Sequence, residues 1–217
     1  MPRRKRATRR RGPTTSFRTG TRLHDEPLIH VFDDFLTPAE CAHLRTLGEP
    51  GQTRAVVSSG NQGVTSTGRT NGVAWVPHKA SPTSHRIALR ISQLVGLPLV
   101  HAESFQVIHY AQTQEYRPHF DAYDPSTERG KRCCARGGQR LVTVLAYLND
   151  VAQGGGTVFP KLDLRVQAQQ GRLLVFHNCP PGSTTRHPHS LHGGEPVIEG
   201  HKWAFNLWYR ESRYQRS

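Results

Sequence analysis

Histidine and aspartate residues in two stretches of this chain have the types and spacing of a metal site. His119 and Asp121 stand two residues apart, and three further histidines, His187, His189 and His192, lie close together later in the chain. Two imidazoles and one carboxylate can occupy one face of an octahedral ferrous ion, which leaves the opposite face open for a co-substrate and dioxygen. The pattern therefore indicates non-haem iron chemistry, with the second histidine still to be chosen among three.

Lys202 follows the histidine cluster and adds a cation that could hold an acidic co-substrate. In a strand, residues i and i+2 point to the same face, so His119 and Asp121 are expected to reach one ion. Each feature also has a plainer interpretation. The tripeptide formed by residues 119–121 can arise by chance. The three clustered histidines can belong to a polar loop, and Lys202 can protect a strand edge against aggregation.

The first half of the chain predicts two helices that precede the strands. A capping box with a proline at the first helical position marks a helix start at residues 37–40. A second helix is expected from residue 81 to Gly96, with apolar residues at helical spacing. Between them, residues 51–72 are rich in Gly, Ser, Thr and Asn and predict a loop with one short strand near residue 56.

Strands dominate the rest of the prediction. Residues 141–148 are apolar on both faces apart from Thr143 and the Tyr147 hydroxyl, which favours a central strand. The other predicted strands are 28–32, 105–108, 171–176 and 203–209, and Lys202 opens the last one. Two helices followed by many short strands favour an α+β fold, mainly β, with a sandwich or barrel in the C-terminal half.

The charge of the chain is concentrated at its start. Residues 1–22 contain nine Arg or Lys and no acid, whereas the whole chain of 217 residues has a formal net charge of +13. We expect this segment to be a disordered basic tail and residues 23–217 to form one domain. The tail is either a solvated terminus or an arm for nucleic acid or an acidic partner.

The sequence has few features that would direct the protein to a particular compartment. There is no apolar segment typical of a secretory signal and none long enough to span a membrane, so no membrane association is expected. The four cysteines match no zinc-binding spacing and are expected to be free thiols in a reducing compartment. These observations together predict a cytoplasmic protein.

Several longer motifs surround the candidate metal residues in a characteristic order. They are FDDFLTPAEC at 32–41, AESFQVIHY at 102–110, YRPHFD at 116–121, GQR at 138–140 leading into TVLAYLND at 143–150, GGGTVFP at 154–160, and SLHGGEPVIEGHKW at 190–203. With them, residues 27–210 resemble the prolyl 4-hydroxylase branch of the Fe(II)/2-oxoglutarate dioxygenases. The resemblance implies a double-stranded β-helix (jelly roll) core with N-terminal helices packed outside.

The resemblance also implies a role for individual residues. It selects His192 over His187 and His189, so the implied Fe(II) ligands are His119, Asp121 and His192. The implied contacts to the distal carboxylate of 2-oxoglutarate are Lys202, Tyr110 and Thr157. Trp208 would line the pocket, or simply fill the barrel core, and Arg140 would contact a peptide substrate, or form a surface salt bridge. Arg210 departs from the family, because some members have a substrate-facing histidine there.

The implied activity is hydroxylation of an unactivated C–H bond, with succinate and carbon dioxide as co-products and ascorbate as a supporting reductant. A prolyl residue in a peptide or protein is the expected substrate. One alternative is an oxidative nucleic-acid demethylase on the same barrel, although those enzymes generally hold the co-substrate with arginine. Another is a non-catalytic jelly-roll interaction protein, which the complete ligand set argues against.

Overall fold

Two main antiparallel β-sheets, two short two-stranded sheets and several helices make up the described structure. The computed structural model describes residues 12–59, 62–65 and 68–215. The strands are β1 Thr21–His24, β2 Ile29–Phe32, β3 Thr53–Arg54, β4 Val56–Ser59, β5 Gln62–Thr65, β6 Gly72–Val76, β7 Phe105–Tyr110, β8 Tyr116–His119, β9 Arg140–Tyr147, β10 Gln153–Gly154, β11 Thr157–Phe159, β12 Leu164–Val166, β13 Leu173–His177, β14 His192–Gly194, β15 Val197–Glu199 and β16 Lys202–Arg210. The α-helices are α1 Pro38–Gly48, α2 Pro82–Val95 and α3 Glu128–Cys134, and short 3-10 turns cover Leu99–His101 and Pro188–Ser190.

The larger sheet has eight strands in the order β1-β2-β13-β9-β16-β7-β6-β3, the smaller main sheet has the order β12-β11-β14-β8, and the two short sheets are β4-β5 and β10-β15. Both main sheets are antiparallel, and apolar side chains from the two form one buried cluster between them. Closing two antiparallel sheets on one another leaves few exposed strand edges. This arrangement is the expected jelly roll, with α1 and α2 outside it.

The large sheet is buried on both faces, which explains its continuous apolar strands. In β9, Val144 and Ala146 belong to the cluster beneath the helices, whereas Leu145 and Tyr147 belong to the cluster between the sheets. Alternate residues of a strand point to opposite faces, so both sets must be apolar when both faces are covered. The prediction of a central strand at residues 141–148 is confirmed.

Local capping chemistry sets the ends of the two long helices. Thr37 and Glu40 form a reciprocal capping box at the start of α1, and Ser81 and Ser84 form one at the start of α2. Gly96 ends α2 in the left-handed conformation, at φ +71°. Both predicted starts are confirmed. None of the described helices has the length and apolarity needed to cross a bilayer.

The prediction of disorder is wrong for residues 12–22. The backbone N–H of Thr14 donates to the last turn of α2 at 2.9 Å, and the Phe17 ring packs edge-on against Phe32. Residues 21–24 form β1 at the edge of the large sheet. One aromatic side chain thus anchors a segment whose charge suggested solvation. Residues 1–11 lie outside the described residues, so their disorder and their binding to nucleic acid stay predictions.

Several short elements were not predicted. In the segment 51–72, β4 is the one short strand expected near residue 56, whereas β3 and β5 were expected to be loop, and β4 pairs with β5 as a hairpin. Elements of two to four residues are too short to produce a recognisable period. The helix α3 was also missed, because its sequence ERGKRCC has no apolar stripe.

Candidate active site

Three side chains with metal-binding groups converge where the smaller sheet faces the larger one. His119 ends β8, and His192 opens β14 directly opposite it in the antiparallel register. The Asp121 carboxylate lies between them, with Oδ1 3.8 Å from His119 Nε2 and Oδ2 3.4 Å from His192 Nε2. All three ligand atoms lie within 4.8 Å of one another, so one ion can contact all of them.

The route by which Asp121 reaches the site differs from the prediction. A strand was expected to carry His119 and Asp121 on one face, but β8 ends at His119. Asp121 stands just beyond it, where the chain leaves the sheet. The turn after the strand, rather than the pleat of the strand, therefore positions the carboxylate.

Backbone carbonyls fix the orientation of both imidazoles. His119 Nδ1 lies 3.0 Å from the carbonyl oxygen of Arg117, and His192 Nδ1 lies 2.9 Å from that of Ser190. A carbonyl oxygen only accepts, so each Nδ1 carries the hydrogen and each Nε2 lone pair is free for a metal. The two rings are therefore already in the tautomer that a metal site requires.

A buried hydrogen-bond relay holds the Asp121 carboxylate. The Thr143 hydroxyl donates to Asp121 Oδ2 at 2.7 Å, and the Asn178 amide donates to Thr143 Oγ1 at 2.8 Å. Because Asn178 supplies a hydrogen to the hydroxyl oxygen, the hydroxyl hydrogen is directed at the carboxylate. Thr143 was one of two exceptions to the apolar pattern of its strand, and this contact explains why a hydroxyl is needed there.

Burial and nearby charges keep His119 neutral and Asp121 ionised near neutral pH. Burial, followed by the charge of His192, lowers the pKa of His119 to about 3. Burial would raise the pKa of Asp121, but the attraction of His192 and His119, with Arg140 nearby, lowers it below the usual range. A carboxylate with neutral imidazoles is the donor set that a divalent cation binds without first displacing protons.

Lys202 is a buried cation without an anionic partner in the described part of the chain. Its side chain is only 2% exposed, and its Nζ lies over the rings of Tyr110 and Tyr147, at 5.1 and 5.4 Å. Burial lowers the pKa of Lys202 to about 8, against a smaller raising effect of Glu195. A buried charge is costly unless it is paired, so this position suits an anionic ligand group.

Small and polar neighbours leave room for that ligand group. Tyr110 stands opposite Lys202 in the β7–β16 register. A side chain at Gly194 would place its Cβ 3.7 Å from the Tyr110 hydroxyl and 3.8 Å from Lys202 Nζ. Thr157 accepts a hydrogen bond from the Tyr147 hydroxyl at 2.7 Å. These groups form a cradle with hydroxyls and one cation, as a carboxylate requires.

One cavity of about 450 Å³ joins the metal-binding triad to this cradle. Every site residue named from the sequence lines it: His119, Asp121, His192, Lys202, Tyr110, Thr157, Trp208, Arg140 and Arg210. His187 and His189 do not line it, and the backbone N–H of His189 instead donates to His187 Nδ1. The structure thus places only one of the three clustered histidines beside Asp121.

Comparison with known proteins agrees with this geometry. The 2OG-Fe(II) oxygenase superfamily matches residues 105–210. A probable prolyl 4-hydroxylase 10 of Arabidopsis thaliana is 34% identical over 212 residues, which cover 88% of this chain and 71% of that protein. A putative prolyl 4-hydroxylase of Acanthamoeba polyphaga mimivirus is 33% identical, over 85% of this chain and 74% of that protein.

This chain belongs to the prolyl 4-hydroxylase family of 2-oxoglutarate-dependent Fe(II) dioxygenases.

Solved structures of the family share its fold. The viral collagen prolyl hydroxylase of Paramecium bursaria Chlorella virus-1, in complex with 2-oxoglutarate, superimposes with a TM-score of 0.65 at 23% identity, over 84% of this chain and 95% of that one. A prolyl 4-hydroxylase of Pseudomonas putida gives 0.58 at 19% identity, over 84% and 91%. At these identities the likeness concerns the jelly roll and its outer helices.

The cofactors of the prolyl 4-hydroxylase family fit the residues present. Fe(II) takes two imidazoles and a carboxylate on one face, which is the donor set at His119, Asp121 and His192. 2-Oxoglutarate carries two carboxylates. The buried ammonium of Lys202 and the space beside Gly194 offer a place for the carboxylate that does not reach the metal.

Two arginines of this family member form ion pairs and hydrogen bonds inside the protein. Arg140 forms two hydrogen bonds to Glu103, at 2.7 and 2.9 Å, and its guanidinium lies 3.7 Å from the centre of the Trp208 ring. Arg210 donates to the same Glu103 at 2.7 Å, and to the carbonyls of Cys133 and Gly138. The alternative of a surface salt bridge at Arg140 is wrong, because the ion pair is buried.

Sequence reasoning missed the residues that support the predicted ones. Glu103 is 2% exposed, and charge and hydrogen bonds from Arg140 and Arg210 lower its pKa against the opposing effect of burial. Tyr116 stacks on the His119 ring with centroids 3.6 Å apart. Glu103 falls within a family motif, which was a usable indication. Tyr116 opens the YRPHFD motif, but nothing in the sequence indicated that its ring would stack on His119.

Proposed function

We propose that this protein hydroxylates a prolyl residue of a peptide or protein. The observation that carries the proposal is that one cavity contains both the metal-binding triad and a buried lysine that forms no ion pair with another described residue. In the overall reaction a substrate C–H bond becomes C–OH, and dioxygen and 2-oxoglutarate yield succinate and carbon dioxide. The relatives named as prolyl 4-hydroxylases support proline as the substrate residue.

His119, Asp121 and His192 would hold Fe(II) through the two Nε2 atoms and the carboxylate. Fe(II) with 2-oxoglutarate supplies the oxidising power for an unactivated C–H bond, which no side chain provides. Arg117 and Ser190, through their carbonyls, keep the imidazoles in the binding tautomer.

The co-substrate would be held by the cradle around Lys202. Its ammonium would pair with the distal carboxylate, and the Tyr110 and Thr157 hydroxyls would complete the contacts. Inside a partly dry pocket such a charge pair is stronger than in water. Trp208 would form part of the wall of the cavity, and we propose ascorbate as the reductant that sustains turnover.

Turnover of proline-containing peptides tests the proposal. The full chain with Fe(II), 2-oxoglutarate and ascorbate is moved from anaerobic to aerobic buffer, and peptides are read for the gain of one oxygen atom together with succinate. Asp121→Ala and His192→Ala should abolish both products. His189→Ala is the matched control, because His189 is exposed and lies outside the cavity. Peptide hydroxylation by either ligand variant at the normal rate would refute the proposed site.

We also propose a cytoplasmic location. All four cysteines are free thiols, and Cys41 and Cys179 among them are buried, which suits a reducing compartment. Fractionation of cells that express the full chain, with the protein followed by antibody, tests this, and recovery from a secretory compartment would contradict it.

A further inference from the structure

The cavity that contains the metal-binding triad is strongly cationic. Its described lining includes seven cationic side chains and two carboxylates. The cations are Arg69, Arg129, Arg132, Arg136, Arg140, Arg210 and Lys202, and the carboxylates are Glu103 and Asp121. A bound Fe(II) and a bound 2-oxoglutarate dianion would cancel one another. The excess of positive charge would therefore persist in the loaded enzyme.

The deeper cations already have partners or roles. Arg140 and Arg210 both pair with Glu103. Arg69 donates to Asn71 at 3.1 Å and to Gln106 at 3.0 Å. Lys202 belongs to the co-substrate cradle proposed above. These groups do not explain the charge at the mouth of the cavity.

The charge at the mouth comes from α3 and the turn that follows it. Arg129, Arg132 and Arg136 line the cavity there, and Arg129 and Arg136 are exposed. Neither of these two forms an ion pair with another described residue. The nearby carboxylate of Glu128 is engaged by Lys131 at 2.7 Å. Two exposed guanidiniums thus face the entrance without an anionic partner among the described residues.

Tyr123 links these arginines to the deeper ones. Its ring lies 6.0 Å from the Arg129 guanidinium and 5.2 Å from those of Arg140 and Arg210. Three guanidiniums around one ring repel one another, and the described carboxylates that offset them, Glu103 and Asp121, lie beside Arg140 and Arg210 rather than beside Arg129. An anionic ligand group at the mouth would relieve this repulsion, whereas a cationic one would increase it.

We propose that the segment carrying the target proline is acidic and that its carboxylates pair with Arg129 and Arg136 at the cavity mouth. The inference rests on the proposed function and names the class of peptide that the site accepts. A peptide fits better than a nucleic acid, because the arginines occupy one short stretch of eight residues beside a cavity of about 450 Å³. A polynucleotide backbone would require a longer basic track.

A matched pair of peptides tests this inference on the full-length loaded enzyme. Both contain one proline, flanked by glutamates in one peptide and by glutamines in the other. We expect kcat/KM to be about tenfold higher for the glutamate peptide at low salt, as two exposed charge pairs can supply. The preference should largely disappear near 0.5 M salt, because exposed pairs are screened.

Arginine variants separate charge from folding. The double variant Arg129→Gln/Arg136→Gln should lose the preference, mainly through a higher KM for the glutamate peptide. Arg129→Lys/Arg136→Lys should keep most of it, since the charge remains. Arg86→Gln is the matched control, because Arg86 is an exposed helical arginine outside the cavity. Loss of the preference in Arg86→Gln as well would overturn the assignment to the cavity mouth.

The outcomes distinguish this inference from the proposed function. Equal hydroxylation of the two peptides overturns the inference and leaves prolyl hydroxylation intact. If succinate forms but neither peptide is hydroxylated, the proposed function fails. The inference is then tested by measuring the binding of the two peptides to the enzyme directly. Salt-sensitive binding of the glutamate peptide alone would support it, and equal binding would refute it. Stronger, arginine-dependent binding of a single-stranded oligonucleotide would also refute it.

Discussion

Thr143 donates its hydroxyl hydrogen to Asp121 Oδ2 at 2.7 Å, and Asn178 fixes the direction of that donation. The three residues come from a central strand, a turn after β8 and the end of β13, so the fold itself aims the carboxylate. Groups that orient a metal ligand commonly alter metal affinity when they are removed.

Thr143→Val should weaken Fe(II) binding by about 10- to 100-fold, the usual effect of losing such an orienting contact. The shape of the side chain is kept, but Asp121 loses its donor and the Asn178 amide loses its acceptor. Anaerobic Fe(II) titration measures the change, and thermal unfolding shows whether the protein remains folded. Thr143→Ser retains the hydroxyl and should restore affinity. Equal Fe(II) affinity in the valine and wild-type proteins would exclude this role.

Lys202→Met should have opposite effects on stability and on co-substrate use. Removing a buried cation that has no anionic partner among the described residues should stabilise the protein without 2-oxoglutarate by about 1–3 kcal/mol. Loss of a charged contact to the carboxylate should raise the KM for 2-oxoglutarate by about 10- to 150-fold. Chemical denaturation and succinate kinetics measure the two effects.

Lys161→Met is the control for Lys202→Met, since Lys161 is exposed and outside the cavity. Lys161→Met should change neither the stability of the protein nor the KM for 2-oxoglutarate. A lower stability of Lys202→Met without the co-substrate would show that the lysine is already compensated inside the protein.

The pKa of Lys202 also predicts a pH dependence. Burial lowers it from 10.5 to about 8, so between these values the unfolded chain binds more protons than the folded protein. The contribution of Lys202 to the free energy of unfolding therefore rises with pH between about pH 8 and pH 10.5. Below about pH 8 the lysine is charged in both states, so the full cost of burying the charge remains. The stability advantage of Lys202→Met should shrink between about pH 7 and pH 10. Unfolding midpoints at matched ionic strength measure it, and a constant difference would contradict the shift.

Glu103→Gln should destabilise the protein by about 3–5 kcal/mol, because it leaves two buried guanidiniums without their carboxylate. Arg140 and Arg210 have side chains only 13% and 3% exposed, so water cannot replace the lost partner. Urea denaturation measures the loss. Glu128→Gln, which removes an exposed ion pair with Lys131, should leave the midpoint unchanged. A similar midpoint for both variants would mean that the buried pairing contributes little.

Local chemistry made parts of the fold predictable. The capping boxes at Thr37 and Ser81 involve residues three positions apart, so sequence alone determines them. The central strand was equally clear, because burial on both faces removes polar residues from it. By contrast, α3 has no apolar face, and the order of strands depends on contacts far apart in the chain.

The candidate site, like the fold, could be predicted only in part from the sequence. Spacing alone left His187, His189 and His192 equivalent, and the choice of His192 came from the family motif. What decides it physically is that β14 pairs with β8 and places His192 opposite His119. The burial of Arg140 and Arg210 could not be foreseen from their neighbours, because their shared partner Glu103 is 37 and 107 residues away.

The N-terminal strand has a practical consequence for any shortened version of this protein. β1 is the outermost strand of the large sheet and hydrogen-bonds to β2, while His177 contacts the carbonyl of Thr14 at 3.0 Å. A fragment trimmed at residue 23 would leave β2 as a bare edge available for strand addition by another copy. Recombinant fragments designed to be monodisperse should therefore begin upstream of Thr14.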